Sequence, residues 1–350
     1  MTSDVRYPFA AAPPEGEVRE IAPGVKWLRM PLPITGLDHI NLWLLADGEG
    51  WCLVDCGLRN TRIRELWEQI FEEALDGRPI TRILTTHFHP DHLGLAGWLA
   101  ERWGAELWMT RTEWLFGRML SLDAQERPPE SVVAFYRCAG FGEEALERIR
   151  SGGYGHYGKG VTPIPESYRR IVDGESIDIG GRAWRVVVGR GHAPEQACLY
   201  CQELGLMISG DQILPKITPH IGVYPGEPEA DPLKEYLGSL PRYCEFPAET
   251  LVLPSHKDPF LGLHVRVKEL LEHHEQRLDR LLGVCAEPAT VLETLPHLFK
   301  RELNPFSTLM ATGESLAHLN YLLGQGRVVR EHGSDGVHRY RRTAAAVDAA

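Results

Sequence analysis

The 350-residue sequence lacks long apolar runs, an excess of positive charge and a cysteine framework. No apolar run approaches the length of a membrane span, so no membrane association is expected. The net charge of −11 disfavours nonspecific attraction to nucleic acid or to an anionic membrane. The seven cysteines are an odd number scattered along a long chain, which predicts reduced thiols and a cytoplasmic protein.

Length and composition predict a globular protein with one large domain, alone or with a small one. The first twenty residues carry Asp4, Glu15 and Glu17 but no basic flank and no apolar stretch, so no secretory signal is expected. No internal repeat is found. Only the alanine-rich tail at 343–350 is expected to be disordered.

The first half of the sequence has strand-like and helix-like segments in alternation. Glycine-punctuated β-like runs predict adjacent strands of one sheet at 24–28, 41–45 and 51–55. An amphipathic helix is predicted over 61–75. Residues 111–165 are predicted to be a mostly helical insertion that ends in a glycine-rich stretch. Two interpretations of this insertion stay open. It forms a lid or substrate wall, or it is a packing extension with a connector.

Strand-like runs resume after the insertion, and a helical module follows them. The strands are predicted at 176–179, 183–188, 197–200, 205–209 and 250–253. Three helices and a β-hairpin are predicted at 264–282, 289–299, 315–323 and 326–340. These are the parts of a winged-helix module. The sequence therefore predicts a large α/β domain over 1–262 and a small winged-helix-like domain over 263–342.

The segment Thr-Thr-His-Phe-His-Pro-Asp-His places His87, His89, Asp91 and His92 within six positions, directly after the apolar run 80–84. Imidazole and carboxylate are ligands that Zn²⁺ and Fe²⁺ accept. The segment falls between a predicted strand and a predicted helix, where α/β proteins usually keep their sites. The pattern therefore predicts a metal site with open coordination positions.

Three more residues of ligand type each lie just past a predicted strand, namely His192, Asp211 and His256. Side chains that leave successive strands at one edge of a sheet can converge without help from flexible loops. The ordered set, from His-x-His-x-Asp-His to His256, resembles the metallo-β-lactamase superfamily of metallohydrolases over about residues 20–262. The resemblance implies an αββα sandwich, in which two sheets pack face to face with helices outside.

The resemblance also implies a division of the ligands between two divalent ions. One ion would be held by His87, His89 and His192. The other would be held by Asp91, His92 and His256, with Asp211 bridging the two. Asp55 matches the family's early strand-end aspartate, which would orient a ligand from behind. Zn²⁺ is the expected metal, and the same ligands accept Fe or Mn.

The sequence departs from the family pattern at two positions. Gln196 stands where many relatives have a second histidine after the His192 motif, so we expect altered hydrogen bonding around the ligands without loss of metal. Lys257 stands where the family usually has glycine, and it either pairs with an anionic substrate or is a solvated lysine. His220 follows the bridging aspartate and either contacts substrate or is structural.

These residues predict a dinuclear metal-dependent hydrolase. Two cations about 3.5–4 Å apart lower the pKa of a bridging water enough to make hydroxide, which would attack a thioester or lactone of a small molecule. Asp91 is expected to carry the water's proton to the leaving group. The alternative is an endoribonuclease that uses the winged-helix module, and a third hypothesis is a metal-stabilised scaffold without activity. The C-terminal module is first expected to be structural or a homodimer contact, and nucleic acid is not the expected partner.

Overall fold

The computed structural model describes residues 4–34 and 36–344 of the chain. These residues form two compact units. The first unit takes the chain up to Ala124, Gly155–Pro219 and Arg242–Val267. The second unit takes Gln125–Tyr154, His220–Pro241 and the chain from Lys268 onward.

Two segments of the second unit precede the domain boundary at 262 that the sequence predicts. Residues 125–154, expected within the insertion of the large domain, cluster with the C-terminal part of the chain, as do residues 220–241. Backbone hydrogen bonds hold both segments there, from Leu292 N–H to Ala139 O at 3.2 Å and from Val223 N–H to Gly313 O at 3.0 Å. The predicted range 263–342 covers only part of this unit, because local patterning does not report contacts between distant segments.

Seven strands form the larger sheet of the first unit and lie in chain order. They are β1 (Val18–Ala22), β2 (Val25–Ile34), β3 (Leu37–Asp47), β4 (Gly50–Val54), β5 (Ile80–Leu84), β6 (Glu106–Met109) and β7 (Arg169–Arg170). The pairings from β1 to β4 are antiparallel, and those from β4 to β7 are parallel. The three adjacent strands predicted near the N-terminus are confirmed as β2, β3 and β4.

Five strands form the second sheet of this unit, in the order β12-β11-β10-β9-β8. They are β8 (Ser176–Ile179), β9 (Arg182–Gly189), β10 (Gln196–Cys201), β11 (Leu206–Gly210) and β12 (Leu251–Pro254). Only the β11–β12 pairing within this sheet is parallel. The five strands predicted after the insertion are all confirmed. Cys198 and Cys201 are buried in β10.

One face of each sheet contributes to a shared apolar core, because side chains alternate between the two faces of a strand. Trp27 and Trp43 from the first sheet belong to one buried cluster with Trp184 from the second, and the first two rings stack with centroids 6.1 Å apart. The other face of the first sheet, including Leu42 and Leu53, packs in a second cluster with helical residues. The first unit is therefore a sandwich of sheets and helices, as predicted.

The described residues contain eleven α-helices. They are α1 (Thr61–Glu73), α2 (Pro90–Leu93), α3 (Ala96–Trp103), α4 (Arg111–Leu122), α5 (Glu130–Cys138), α6 (Glu143–Ser151), α7 (Tyr157–Gly160), α8 (Pro232–Ser239), α9 (Leu263–Val284), α10 (Val291–Leu298) and α11 (Pro305–Gly324). The helix predicted over 61–75 is confirmed as α1. Asn60 caps α1 by accepting a hydrogen bond from Ile63 N–H at 2.8 Å. The amphipathic face of α1 buries Leu66, Trp67 and Ile70 in the cluster on the outer face of the first sheet.

The second unit contains a two-stranded hairpin, β13 (Val328–His332) and β14 (His338–Arg342), close to the predicted positions. Of the three predicted C-terminal helices, the last begins much earlier than expected, at Pro305 and not at Ser315. Asn304 caps this helix through Ser307 N–H, and proline suits its first turn. The early turns expose Phe306 and other side chains, so they lack the apolar period from which the prediction was made.

None of the helices within residues 4–34 and 36–344 has the length and apolar character needed to cross a membrane. The tail predicted at 343–350 lies outside the described residues from position 345 onward.

Candidate metal centre

The ends of neighbouring strands bring the predicted site residues together. β4 and β5 are parallel, so Asp55 and the histidine segment leave the first sheet side by side, and Asp55 N–H donates to Leu84 O at 2.9 Å. β11 and β12 are also parallel, so Asp211 and His256 leave the second sheet together. His192 follows the end of β9. Three overlapping groups of ligand type result, formed by His87, His89, Asp91, His92, His192, Asp211 and His256.

Three ring nitrogens converge in the first of these groups. His87 Nε2 lies 2.9 Å from His89 Nδ1, which lies 3.0 Å from His192 Nε2. His192 Nε2 lies 3.2 Å from His87 Nε2 and closes the triangle. A neutral imidazole has one N–H and one lone pair, so three nitrogens that face one point are suited to a shared cation.

Asp91, His92 and His256 form a second group. Asp91 Oδ2 lies 3.4 Å from His256 Nε2 and 3.6 Å from His92 Nε2. Asp211 lies between the two groups, because its Oδ2 is 3.3 Å from His256 Nε2 and 3.4 Å from His192 Nε2. The two groups therefore share a carboxylate that faces both of them.

The donor atoms of this centre fit divalent cations. His92 Nε2, His256 Nε2 and Asp211 Oδ1 are buried and have no hydrogen-bond partner among the described residues. A buried polar atom without a partner is costly, and coordination of a cation removes that cost. The opposite nitrogen of each ring is engaged, since His256 Nδ1 donates to His39 O at 2.8 Å and His92 Nδ1 lies 2.8 Å from Asp55 Oδ2. Both rings thereby turn the Nε2 lone pair toward the centre.

Asp55 is a buried carboxylate behind the histidine segment. Its Oδ1 accepts a hydrogen bond from Thr86 N–H at 2.8 Å, and its Oδ2 faces His92. The Thr86 hydroxyl lies 3.0 Å from both Asp55 Oδ2 and His87 Nδ1, so it can accept from the imidazole and donate to the carboxylate. Asp55 is therefore linked to His92 directly and to His87 through Thr86, and its predicted role behind the ligands remains a prediction.

Burial and the neighbouring charges set the pKa values of these groups. Burial and the surrounding imidazoles hold the pKa of His87 well below its ordinary value. Burial also disfavours the charged form of His92, but the carboxylates of Asp55, Asp91 and Asp211 outweigh it and raise the pKa of His92 to about 10. Burial raises the pKa of Asp211, but the imidazoles of His256 and His92 hold it below its usual range. The carboxylates that favour a positive charge on His92 would equally favour a cation bound at its Nε2 in place of the proton.

The structure places Gln196 and Lys257 beside the centre in different roles. Gln196 is fully buried, and its Nε2 donates to Ser209 O at 2.9 Å, two residues before Asp211. Lys257 has a left-handed backbone with φ of 68°, a conformation that glycine adopts without strain. Its Nζ donates to Gly36 O at 3.2 Å, so the lysine is neither fully solvated nor without a protein partner.

His220 belongs to the second unit and joins a buried polar cluster there. Its Nδ1 lies 3.5 Å from a carboxylate oxygen of Glu314, which also pairs with the guanidinium of Arg277. His318 Nδ1 donates to Glu314 O at 2.7 Å, and its Nε2 lies 3.1 Å from His274 Nδ1. A structural role in this cluster accounts for His220, and the predicted substrate contact remains a prediction.

Two residues at the centre were missed by the sequence analysis. Glu113 on α4 is fully buried and accepts hydrogen bonds from the backbone N–H groups of Phe88 and Glu195. Burial raises the pKa of Glu113 to about 7, although these two N–H groups favour its charged form. Tyr157 on α7 donates to Phe88 O. Neither residue is part of a recognisable motif, so no local signal could have identified them.

Comparison with known proteins identifies the family. The sequence model of the family described as "Metallo-beta-lactamase superfamily" matches residues 35–264, more than half of the chain. The chain belongs to the metallo-β-lactamase superfamily. A second family, described as "Metallo-beta-lactamase-like, C-terminal domain", matches residues 278–343 of this superfamily member.

Individual relatives of this metallo-β-lactamase superfamily member agree with that assignment. A beta-lactamase domain protein from Burkholderia ambifaria is 46% identical, with 97% of this chain and 98% of that one covered and a TM-score of 0.90. A metallo-beta-lactamase family protein from Thermus thermophilus is 32% identical, with 93% and 100% covered and a TM-score of 0.77. The probable metallo-hydrolase YqjP of Bacillus subtilis is 24% identical over 84% of this chain and 91% of that protein. The chain is therefore a metallo-hydrolase with candidate metal-binding histidine and aspartate groups.

Proposed function

We propose that this metallo-hydrolase holds two divalent metal ions and cleaves an ester-type bond of a small molecule, a thioester or a lactone. The observation that carries the proposal is the position of Asp211, whose Oδ2 faces His192 of one donor group and His256 of the other at similar distances. A carboxylate that faces both donor groups is suited to bind two adjacent cations, whereas a single cation would not need it. The ligands of the first ion would be His87, His89 and His192, and those of the second Asp91, His92 and His256.

When bound, two such ions activate a water molecule and polarise the carbonyl oxygen of the substrate. The chain itself supplies orientation and a proton carrier. Asp55 and the backbone oxygen of His39 hold the rings of His92 and His256 in one tautomer each, as their hydrogen bonds require. Asp91 is the most exposed carboxylate of the centre, with a side chain 15% accessible, so it can pass a proton to a leaving group.

The number and identity of the ions are tested by elemental analysis of full-length protein purified without chelator. We expect about two ions per chain, with zinc as the metal, while iron or manganese would fit the same donors. His89→Ala and His256→Ala change different donor groups, and each is expected to lower the content to about one ion. His332→Ala, an exposed histidine in β13, serves as the control and should leave the content unchanged. One ion in the unmodified protein would contradict the dinuclear centre.

The substrate class is tested with panels of acyl thioesters and lactones on the metal-loaded protein. We expect hydrolysis within one of these classes, lost in His256→Ala and retained in His332→Ala. If the loaded protein hydrolyses no member of either panel, the proposed bond class is wrong even though the metal centre stands. Cleavage of single-stranded RNA under the same conditions would favour the endoribonuclease alternative.

The charges of the C-terminal hairpin do not favour that alternative. Three of its four arginines pair with acidic side chains of the same unit: Arg330 with Glu229 at 2.9 Å, Arg339 with Asp335 at 2.7 Å and Arg341 with Glu331 at 2.9 Å. A surface that binds nucleic acid needs uncompensated positive charge. We therefore propose that the winged-helix-like module is structural or a homodimer contact, which the mass of the protein in solution would test. A cytoplasmic location remains a prediction, in agreement with seven free cysteines.

A further inference from the structure

We infer that Glu113 is a positioning residue that sets the separation between the two loops carrying His87 and His192. The inference rests on the proposed metal centre, because these loops matter through the donors they carry. Glu113 is a carboxylate with no exposed surface in a helix of the insertion, and the two backbone groups that it binds belong to Phe88 and Glu195, which are not among the seven proposed ligands. The hydrolysis proposed above assigns no role to Glu113.

The two oxygens of Glu113 are divided between the two loops. Oε2 accepts a hydrogen bond from Phe88 N–H at 3.0 Å, and Phe88 lies between His87 and His89. Oε1 accepts a hydrogen bond from Glu195 N–H at 2.6 Å, three residues after His192. One rigid side chain thus links the loop after β5 to the loop after β9, which belong to different sheets.

Neighbouring contacts strengthen both ends of this link. Thr112 N–H donates to the side chain of Glu195 at 3.0 Å, and the Thr110 hydroxyl donates to Glu195 O at 2.8 Å. On the other loop, Tyr157 from α7 donates to Phe88 O. The insertion, together with Thr110 directly before it, therefore holds both backbone groups of Phe88 and both backbone groups of Glu195. This arrangement assigns part of the insertion a role that is neither a lid nor a passive extension.

Only a side chain with two acceptor oxygens at this length satisfies both N–H groups. A glutamine presents one oxygen and one amide nitrogen, so it would set a donor against one of the two backbone donors. An aspartate keeps the charge but is one methylene shorter, so it can reach at most one loop. Because buried donors must find acceptors, the loops would shift apart in either variant.

The test compares full-length Glu113→Gln and Glu113→Asp with the unmodified protein and with Glu101→Gln, an exposed glutamate on α3. Hydrogen–deuterium exchange is measured for peptides spanning Phe88 and Glu195, on protein as purified and after chelation. Metal affinity is measured by chelator competition with zinc. We expect exchange at one or both peptides to rise about tenfold or more and zinc affinity to fall by roughly 10–100-fold in both Glu113 variants. The control should match the unmodified protein.

Unchanged exchange and affinity in a folded Glu113→Gln would overturn the inference. If that variant does not fold, Glu113→Asp tests the inference instead. Full protection of both peptides from exchange in Glu113→Asp would contradict the argument from side-chain length. A general loss of stability would raise exchange in β2, β3 and β4 as well, which a positioning role does not predict. If the unmodified protein binds neither zinc nor iron nor manganese, the proposed metal centre fails, while the exchange data still decide whether Glu113 holds the two loops.

Discussion

Replacing Asp55 by asparagine keeps the size of the side chain, removes its negative charge and turns one of its two acceptor oxygens into an N–H donor. Asp55 has a left-handed backbone with φ of 63°, and asparagine tolerates this conformation better than most residues. The amide can keep the bond from Thr86 N–H, but its other end would present N–H to His92 Nδ1. The imidazole is then driven to carry its proton on Nε2, the nitrogen that faces Asp91 and Asp211.

The expected loss of zinc affinity follows from that tautomer change. A proton on His92 Nε2 occupies the lone pair proposed to bind a metal, so zinc affinity should fall by roughly 10–100-fold, or about 1.4–2.7 kcal/mol. Chelator competition on the full-length protein measures the loss. Asp76→Asn is the matched control, because Asp76 is exposed and also has a positive φ of 54°. An Asp55→Asn protein that folds and binds zinc with unchanged affinity would refute this account of Asp55.

Three further predictions concern stability. Lys257→Gly should raise the free energy of unfolding in urea by about 0.5–1 kcal/mol, because the relief of strain in the left-handed backbone exceeds the greater conformational entropy that glycine loses on folding. A lower stability of the variant would show that the contacts of the Lys257 side chain outweigh this strain. Asn60→Ala should cost about 1 kcal/mol through loss of the cap of α1, and an unchanged urea midpoint would contradict that role. Burial lowers the pKa of His318 to about 4, so between pH 6.5 and 4 the unfolded chain binds a proton that the folded chain does not. Stability should therefore fall on acidification across that window by up to about 3 kcal/mol, and His318→Asn should flatten the dependence of unfolding midpoint on pH.

The strands and the main helices could be predicted because their signals are local. Short β-like runs punctuated by glycine located β2, β3 and β4, and a helical period located α1. The start of α11 was missed because its early turns bury little, so no apolar period reports them. Segments 125–154 and 220–241 cluster with the C-terminal part of the chain, which local patterning does not report, since their partners lie far along the chain.

The seven candidate metal ligands could be predicted from the sequence itself, because each one follows a strand and their order resembles a known family. Their convergence was implied by that resemblance, while the distances that place Asp211 between two groups come from the tertiary structure. The role proposed for Glu113 depends on the tertiary structure alone. Its two oxygens accept hydrogen bonds from two loops of different sheets, and these loops meet only in the folded protein. No spacing of residues along the chain predicts that contact.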